Sequence, residues 1–496
     1  MPETIAVVPV TPLLQSPPAV PPAPQLPAHT QAGYPGFHHG VSLLHGWLPQ
    51  VITFAAVFLL VLAFARFTRR WWLLWVPVCL VFAGAVVWAS WSYTDNEGLA
   101  SDPAPVLLWA AVGLAGAGLA AAVVGIRTGS WWQRVAAILA VPVTLLNVGV
   151  VLNQWVGYYP TANAAWAALT AEPLPHQTDL DALASLRDTN VGTGRIVPVD
   201  IPESGSHFKH RTEYVYLPPA WFQGDKPPAL PVIMMIGGEF NTPQDWVNSG
   251  QIMGSVDDFA KSNNGQTPIL VFVDSGGSFN NDTECVNGPR GDAADHLTND
   301  VPDYVESTFG ASADPAKWGI VGWSMGGTCA VDLTVMHPEK FGTFVDIAGD
   351  LGPAAGTKEQ TVKRLFGGDE QAWAAFDPVT VMRKHGPYAD TVGLFDDLTP
   401  PAAQRRMAND PAMRARMQQR QVDESKIGMG GQDGVFDTGE VGAAEELCAQ
   451  GRQVNVDCTV HTTEGGHTWQ FAAAAFTSSF PWMTARLGIP VAGISS

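Results

Sequence analysis

Charge is what this sequence has least of. Only 15% of its 496 residues are Asp, Glu, Lys or Arg, against roughly 25% in an ordinary soluble domain. Cations are the scarcer sign: 27 Lys and Arg face 46 Asp and Glu, for a net charge of −19. A nucleic-acid binder needs clustered cations, so that class is excluded. Lysine is missing altogether from the first 155 residues, which carry five Arg and four acids, leaving a net −20 on residues 156–496. The first 33 residues contain no Lys or Arg but nine Pro. Without a basic start or a small-residue cleavage site they do not read as a signal peptide. They read as an extended, disordered tail, placed at 1–46. Cysteine is sparse as well, five in all, and no CxxC pair occurs, so the pattern offers no zinc site.

What is abundant is apolar surface: 46% of residues are hydrophobic and 18 are Trp. Four apolar stretches, 47–65, 71–91, 104–126 and 135–155, each approach the length of a spanning helix, about 20 residues. Arg66, Arg69 and Arg70 lie between the first two and Arg127 and Arg134 between the last two, while Asp95, Glu97 and Asp102 lie between the second and third. Positive loops face the cytoplasm. The expected topology is a multi-pass cell-membrane protein with the tail and everything after residue 155 outside. The stretches hold no Asp, Glu, Lys or His, and Asn147 is the most polar residue deep in the fourth. Conduction paths and proton relays need ionisable groups at depth, so this all-α unit at 47–155 reads as an anchor rather than a transporter.

The remaining cysteines fit an oxidising compartment. Cys79 lies in a membrane stretch, whereas Cys285, Cys329, Cys448 and Cys458 lie in the acidic part, an even number consistent with two disulfides. Of three connectivities, Cys448 with Cys458, close in sequence, is favoured, leaving Cys285 with Cys329.

After a linker at 156–190 with one short helix, the pattern alternates. Short apolar runs at 195–201, 213–217, 230–236, 269–273, 318–321, 343–347, 426–429 and 455–461 read as strands, with helical stretches such as 300–308 and 325–336 between them. Such an order predicts an α/β class fold, a doubly wound, mostly parallel sheet of the α/β-hydrolase kind, over 191–490. The segment 351–423 reads as an insertion. It carries Arg405, Arg406, Arg414, Arg416 and Arg420, a basic run that could rest on anionic headgroups or form a solvated helix face.

The sharpest local signal is Gly322-Trp323-Ser324-Met325-Gly326-Gly327, between a strand and a helix. GxSxG in that setting is a nucleophile elbow, whose tight turn lifts the Ser Oγ clear of the sheet. Chain order in this fold is Ser, then acid, then His. His467, in Glu464-Gly-Gly-His-Thr-Trp469, is the expected general base, in preference to His337, His385 and His461. Asp433, after the expected strand 426–429, is the expected orienting acid, with Asp437 its rival. Two backbone amides should meet the oxyanion: that of Met325, directly after the nucleophile, and that of Glu239 in the loop after 230–236, with Gly238 next in line.

From about residue 190 to 490 the sequence resembles the actinobacterial esterase and mycolyltransferase branch of the α/β-hydrolases. The resemblance rests on the Ile236-Gly-Gly loop, Asp274-Ser-Gly-Gly-Ser-Phe279, Asn299-Asp-Val-Pro-Asp-Tyr304, the Gly322–Gly327 elbow, Gly465-Gly-His-Thr-Trp469 and Phe480-Pro-Trp-Met-Thr-Ala-Arg-Leu487. It implies a Ser/acid/His acyl-enzyme acting on lipid or sugar esters outside the cytoplasmic membrane. The secreted mycolyltransferases lack such an anchor and use a Glu as the acid, so Asp433 follows the wider esterase pattern.

The expectation is therefore a membrane-anchored serine esterase or acyltransferase. Its partners are a lipid or glycolipid ester and the bilayer; no nucleic acid, metal or organic cofactor is implied. The competing expectation is a non-catalytic membrane protein whose hydrolase-like domain binds an envelope lipid or a partner.

Overall fold

The computed structural model describes residues 40–97, 104–189, 191–279, 281–399 and 439–491. The run 426–429, Asp433, Asp437 and the five Arg of the basic run lie outside them.

Four helices come first: α1 (Trp47–Phe64), α2 (Val76–Glu97, entered through a π turn at Trp71–Trp75), α3 (Val106–Thr128) and α4 (Trp131–Val156). All four are long and apolar enough to cross a membrane. Their seams are made of small residues, with Ala56, Ala63, Ala121, Ala137 and Ala140 buried, while Phe54, Val81 and Val123 point outward and exposed. That inside-out distribution suits hydrocarbon as the surroundings, where close approach of small residues rather than water exclusion holds helices together. Asn147 is not left orphaned: its Oδ1 accepts from Thr53 Oγ1 at 2.7 Å, tying α4 to α1.

A short helix, α5 (Ala162–Leu169), leads to an eight-stranded sheet. In chain order its strands are β1 (Arg195–Val199), β2 (Glu213–Leu217), β3 (Val232–Ile236), β4 (Ile269–Val273), β5 (Trp318–Trp323), β6 (Thr343–Ile347), β7 (Val392–Thr399) and β8 (Asp457–Glu464). Across the sheet they run β1-β2-β4-β3-β5-β6-β7-β8. β1 and β2 pair antiparallel, as do β2 and β4; the rest are parallel. The central strands β3, β4, β5 and β6 are buried along their whole length, as parallel strands covered on both faces must be. The helices are α6 (Met253–Ser262), α7 (Val301–Phe309), α8 (Met325–Met336), α9 (Lys358–Phe366), α10 (Glu370–Phe376), α11 (Pro378–His385), α12 (Gly439–Gln453) and α13 (Trp469–Arg486). Residues of α7, α8 and α12 pack on one face of the sheet, and α6 and α13 on the other.

Two expectations need correction. The supposed insertion 351–423 is not wholly peripheral, because β7 lies inside it, paired with both β6 and β8. Asp396 and Asp397 interrupt its apolar run, which hides the strand from a hydrophobic-pattern reading, yet both are buried. The segment 156–190 is no loose linker either: Leu174 and Leu183 are buried in the cores on opposite faces of the sheet. The structure joins Cys285 to Cys329 and Cys448 to Cys458, and Cys79 is a buried free thiol.

Candidate active site

The switch point of the sheet lies at the C-terminal ends of β3 and β5, where a doubly wound sheet opens a crevice. Ser324 stands there, between β5 and α8. Its backbone is left-handed, with φ 58° and ψ −125°, a conformation costing of order 1–3 kcal/mol for a non-Gly residue. Two glycines make the turn possible. A Cβ on Gly322 would lie 1.6 Å from the Gly326 carbonyl oxygen, and one on Gly326 would lie 2.3 Å from that of Ile236. The turn is pinned from the side by Ser324 N–H, which donates to the Ile347 carbonyl at 2.9 Å.

His467 meets it from the loop between β8 and α13, its Nε2 2.9 Å from Ser324 Oγ. The imidazole rests on the Trp323 ring, with centroids 4.2 Å apart. Trp469, which starts α13, anchors the loop from below by packing edge-on against Trp246 at 5.2 Å. The other histidines weighed from sequence sit elsewhere. His337 ends α8 and pairs with Glu339 at 3.1 Å, His385 stacks on Tyr388, and His461 lies within β8, where burial lowers its pKa.

The loop after β3 closes the other side. Gly238 comes so near the nucleophile that a Cβ on it would stand 3.2 Å from Ser324 Cβ. Its own N–H is taken, donating to Asn241 Oδ1 at 2.6 Å. Glu239 is the next residue of that loop. Met325 occupies the first position of α8, where a backbone N–H has no acceptor within the helix.

Sequence reading missed the brace behind this loop. Arg211 Nη2 donates to the Asn241 carbonyl at 2.9 Å and pairs with Asp274 Oδ1 at 2.6 Å, while Arg211 Nε donates to Asp274 Oδ2 at 2.9 Å. Burial pushes the Asp274 carboxyl up, but Arg211 and the Gly277 amide outweigh it and hold the pKa below the usual carboxylate range. The signal was available: Asp274 directly ends the apolar run of β4. Behind the brace, Glu213 Oε1 lies 3.1 Å from His296 Nε2, and His210 is 3.6 Å from Glu213 Oε2. These three residues cluster tightly enough to suggest a metal. Both His210 nitrogens, however, already face carbonyl oxygens, of Ile201 at 2.7 Å and Arg211 at 2.8 Å. Both must therefore donate, and no lone pair is left for a cation. Burial opposes the His210 charge, but Glu213 and those carbonyls prevail and raise its pKa.

A third feature is acidic. The Cys285–Cys329 bridge staples the loop holding Asp282 and Glu284 to α8. Burial raises Asp282 to about 6. It raises Glu284 well above its ordinary value, helped by the charges of Asp282, Asp350 and Glu239.

Of the residues expected from sequence, the structure thus brings together Ser324, His467, Met325 and the Glu239 loop. Asp433 lies outside the described residues.

The putative esterase family matches residues 204–487, more than half of the chain. The chain belongs to this family. Among its relatives, an uncharacterised protein of Corynebacterium glutamicum is 29% identical over 398 residues, 79% of this chain and 84% of the relative. The MPT51 antigen of Mycobacterium leprae is 27% identical over 137 residues, 25% of this chain and 42% of the antigen. Among solved structures, an S-formylglutathione hydrolase from Agrobacterium tumefaciens is similar over 60% of this chain and 97% of its own, at 16% identity and a TM-score of 0.44. The fold is that of the α/β-hydrolases, and the protein is an esterase-type hydrolase with four membrane-length apolar helices before the catalytic fold.

Proposed function

We propose that the protein is a membrane-anchored serine esterase or acyltransferase that acts on acyl esters, of lipids or glycolipids, at the outer face of the cell membrane. The observation that carries the reading is the 2.9 Å approach of His467 Nε2 to Ser324 Oγ on a strained strand-to-helix turn. In this reading His467 takes the Ser324 proton as Oγ attacks the acyl carbonyl, and the Glu239 and Met325 amides stabilise the tetrahedral oxyanion. Asp433 holds the imidazole tautomer. His467 then returns the proton to the departing alcohol, and water or an acceptor hydroxyl releases the acyl group from Ser324.

Two features support an apolar substrate. Phe240, in the oxyanion loop, packs against Phe279 with ring centroids 5.6 Å apart, and Phe279 is 70% exposed. An exposed aromatic ring packed on the loop that follows β3 suits an acyl chain. The Arg-bearing loops between the first and second and between the third and fourth helices support an outer location for the hydrolase.

The test is hydrolysis of short p-nitrophenyl esters by the full chain in detergent. Wild type should turn over and Ser324→Ala should not, with unchanged thermal unfolding. Equal rates for the two would exclude the reading.

A further inference from the structure

The chain leaves α4 at Gly157, which caps the helix in a left-handed conformation, φ 66°, and at once enters the hydrolase. Its carbonyl accepts from Gln470 Nε2 at 2.9 Å. The fit leaves no room for a side chain: a Cβ on Gly157 would lie 2.3 Å from Gln470 Oε1 and 2.8 Å from Thr468 Cβ. Thr468 and Gln470 flank the start of α13, one and three residues beyond His467. The next residue, Tyr158, turns the other way. Its hydroxyl donates to Asp245 Oδ2 and also meets Asn241. The same Asp245 oxygen accepts from the Thr242 amide at 2.5 Å and from Thr242 Oγ1 at 2.9 Å. Asn241 is the residue that receives the Gly238 amide and, through its carbonyl, Arg211. Behind Tyr158, Asn153 in the last turn of α4 holds Tyr159 at both ends of its backbone, donating to its carbonyl at 2.8 Å and accepting its N–H at 2.6 Å. Burial and Asp245 push the Tyr158 hydroxyl far above its ordinary pKa, so it remains a donor across the working pH range.

We propose that Gly157 and Tyr158, the first residues beyond the fourth spanning helix, are positioning residues of the hydrolase, joining the membrane helix to both the oxyanion loop and the His467 loop. The inference rests on the serine-esterase reading above. Neither residue touches substrate. Tyr158 acts on Asn241 and Asp245, which set where the Glu239 amide stands, and Gly157 seats the segment after His467. The anchor is then part of the catalytic framework and not a tether alone. A simple tether would leave this junction exposed and its residues unpartnered, whereas Asp245 is buried and shared by four donors.

The experiment uses the full chain in nanodiscs, with active sites counted by fluorophosphonate titration and a short water-soluble p-nitrophenyl ester as probe. Removing an oxyanion donor outright costs about 10²–10³ in kcat, and displacing one should cost less. Tyr158→Phe is expected to lower kcat per titrated site about tenfold, with KM within about twofold of wild type, because the loss falls on the transition state. Asp245→Asn, which retains an acceptor oxygen, should recover most of what Asp245→Ala loses. If Tyr158→Phe does not fold, Gln470→Ala decides: a lower kcat per site with KM unchanged supports the proposal. Wild-type kcat per site in Tyr158→Phe, or in Gln470→Ala where the former is not folded, overturns it. So does a fall confined to the number of titratable sites. Failure of the esterase reading itself would look different, since wild type would then neither label nor turn over.

Discussion

Ser324 and His467 depend on each other, and substitution should show it. His467→Ala is expected to cost nearly as much esterase activity as Ser324→Ala, orders of magnitude in kcat, because members of such a unit are not additive. Asp433→Asn should cost less than either but still at least about a hundredfold. A benign Asp433→Asn beside a damaging Asp437→Asn, measured with the same ester, would move the acid to Asp437. A separate consequence belongs to Asp396 in β7. It is fully buried, neither carboxylate oxygen has a hydrogen-bond partner, and burial raises its pKa from 3.8 to about 7. The folded state therefore binds more protons than the unfolded state between those values. Stability contributed by this group is lost as pH rises through that window and stays low above it. Asp396→Asn should raise the melting temperature at pH 8, by an amount on the order of 2 kcal/mol in stability, and much less at pH 5. Thermal unfolding at the two pH values checks it.

Elements differ in how plainly the sequence announces them. The spanning helices are long apolar stretches, β3 and β4 are uninterrupted apolar runs, and the elbow carries glycines that geometry makes indispensable. β7 was hidden because its two acids break the hydrophobic run, although one of them is kept buried in a form that need not ionise. The Arg211–Asp274 brace and the Tyr158–Asp245 contact join residues 63 and 87 positions apart, a proximity that no local pattern encodes. The approach of His467 to Ser324 was legible, since the two motifs are tied to strand ends by fold order. The elbow gives a prediction at this scale. Gly326→Ala would drive a methyl against the Ile236 carbonyl, so it should displace α8 from β3. Activity should fall at least about a hundredfold, with a measurable loss of stability. Circular dichroism melts alongside ester assays would register both, and a fully active Gly326→Ala enzyme would refute the packing argument.

At the scale of the whole molecule, an apolar four-helix unit precedes an acidic hydrolase, and the proposed topology puts the hydrolase outside. A phosphatase reporter fused after Ser496 should be active and a cytoplasmic fluorescent reporter dark; the reverse would overturn the orientation, and with it the oxidising setting of the two disulfides. The central claim is that Ser324 is an activated nucleophile in the intact membrane protein. Its most direct test is fluorophosphonate labelling of the purified full chain followed by peptide mass spectrometry. A single phosphonylated residue, Ser324, is expected, with labelling strongly slowed in His467→Ala. A folded protein that stays unlabelled, or that carries the label on another residue, would contradict it.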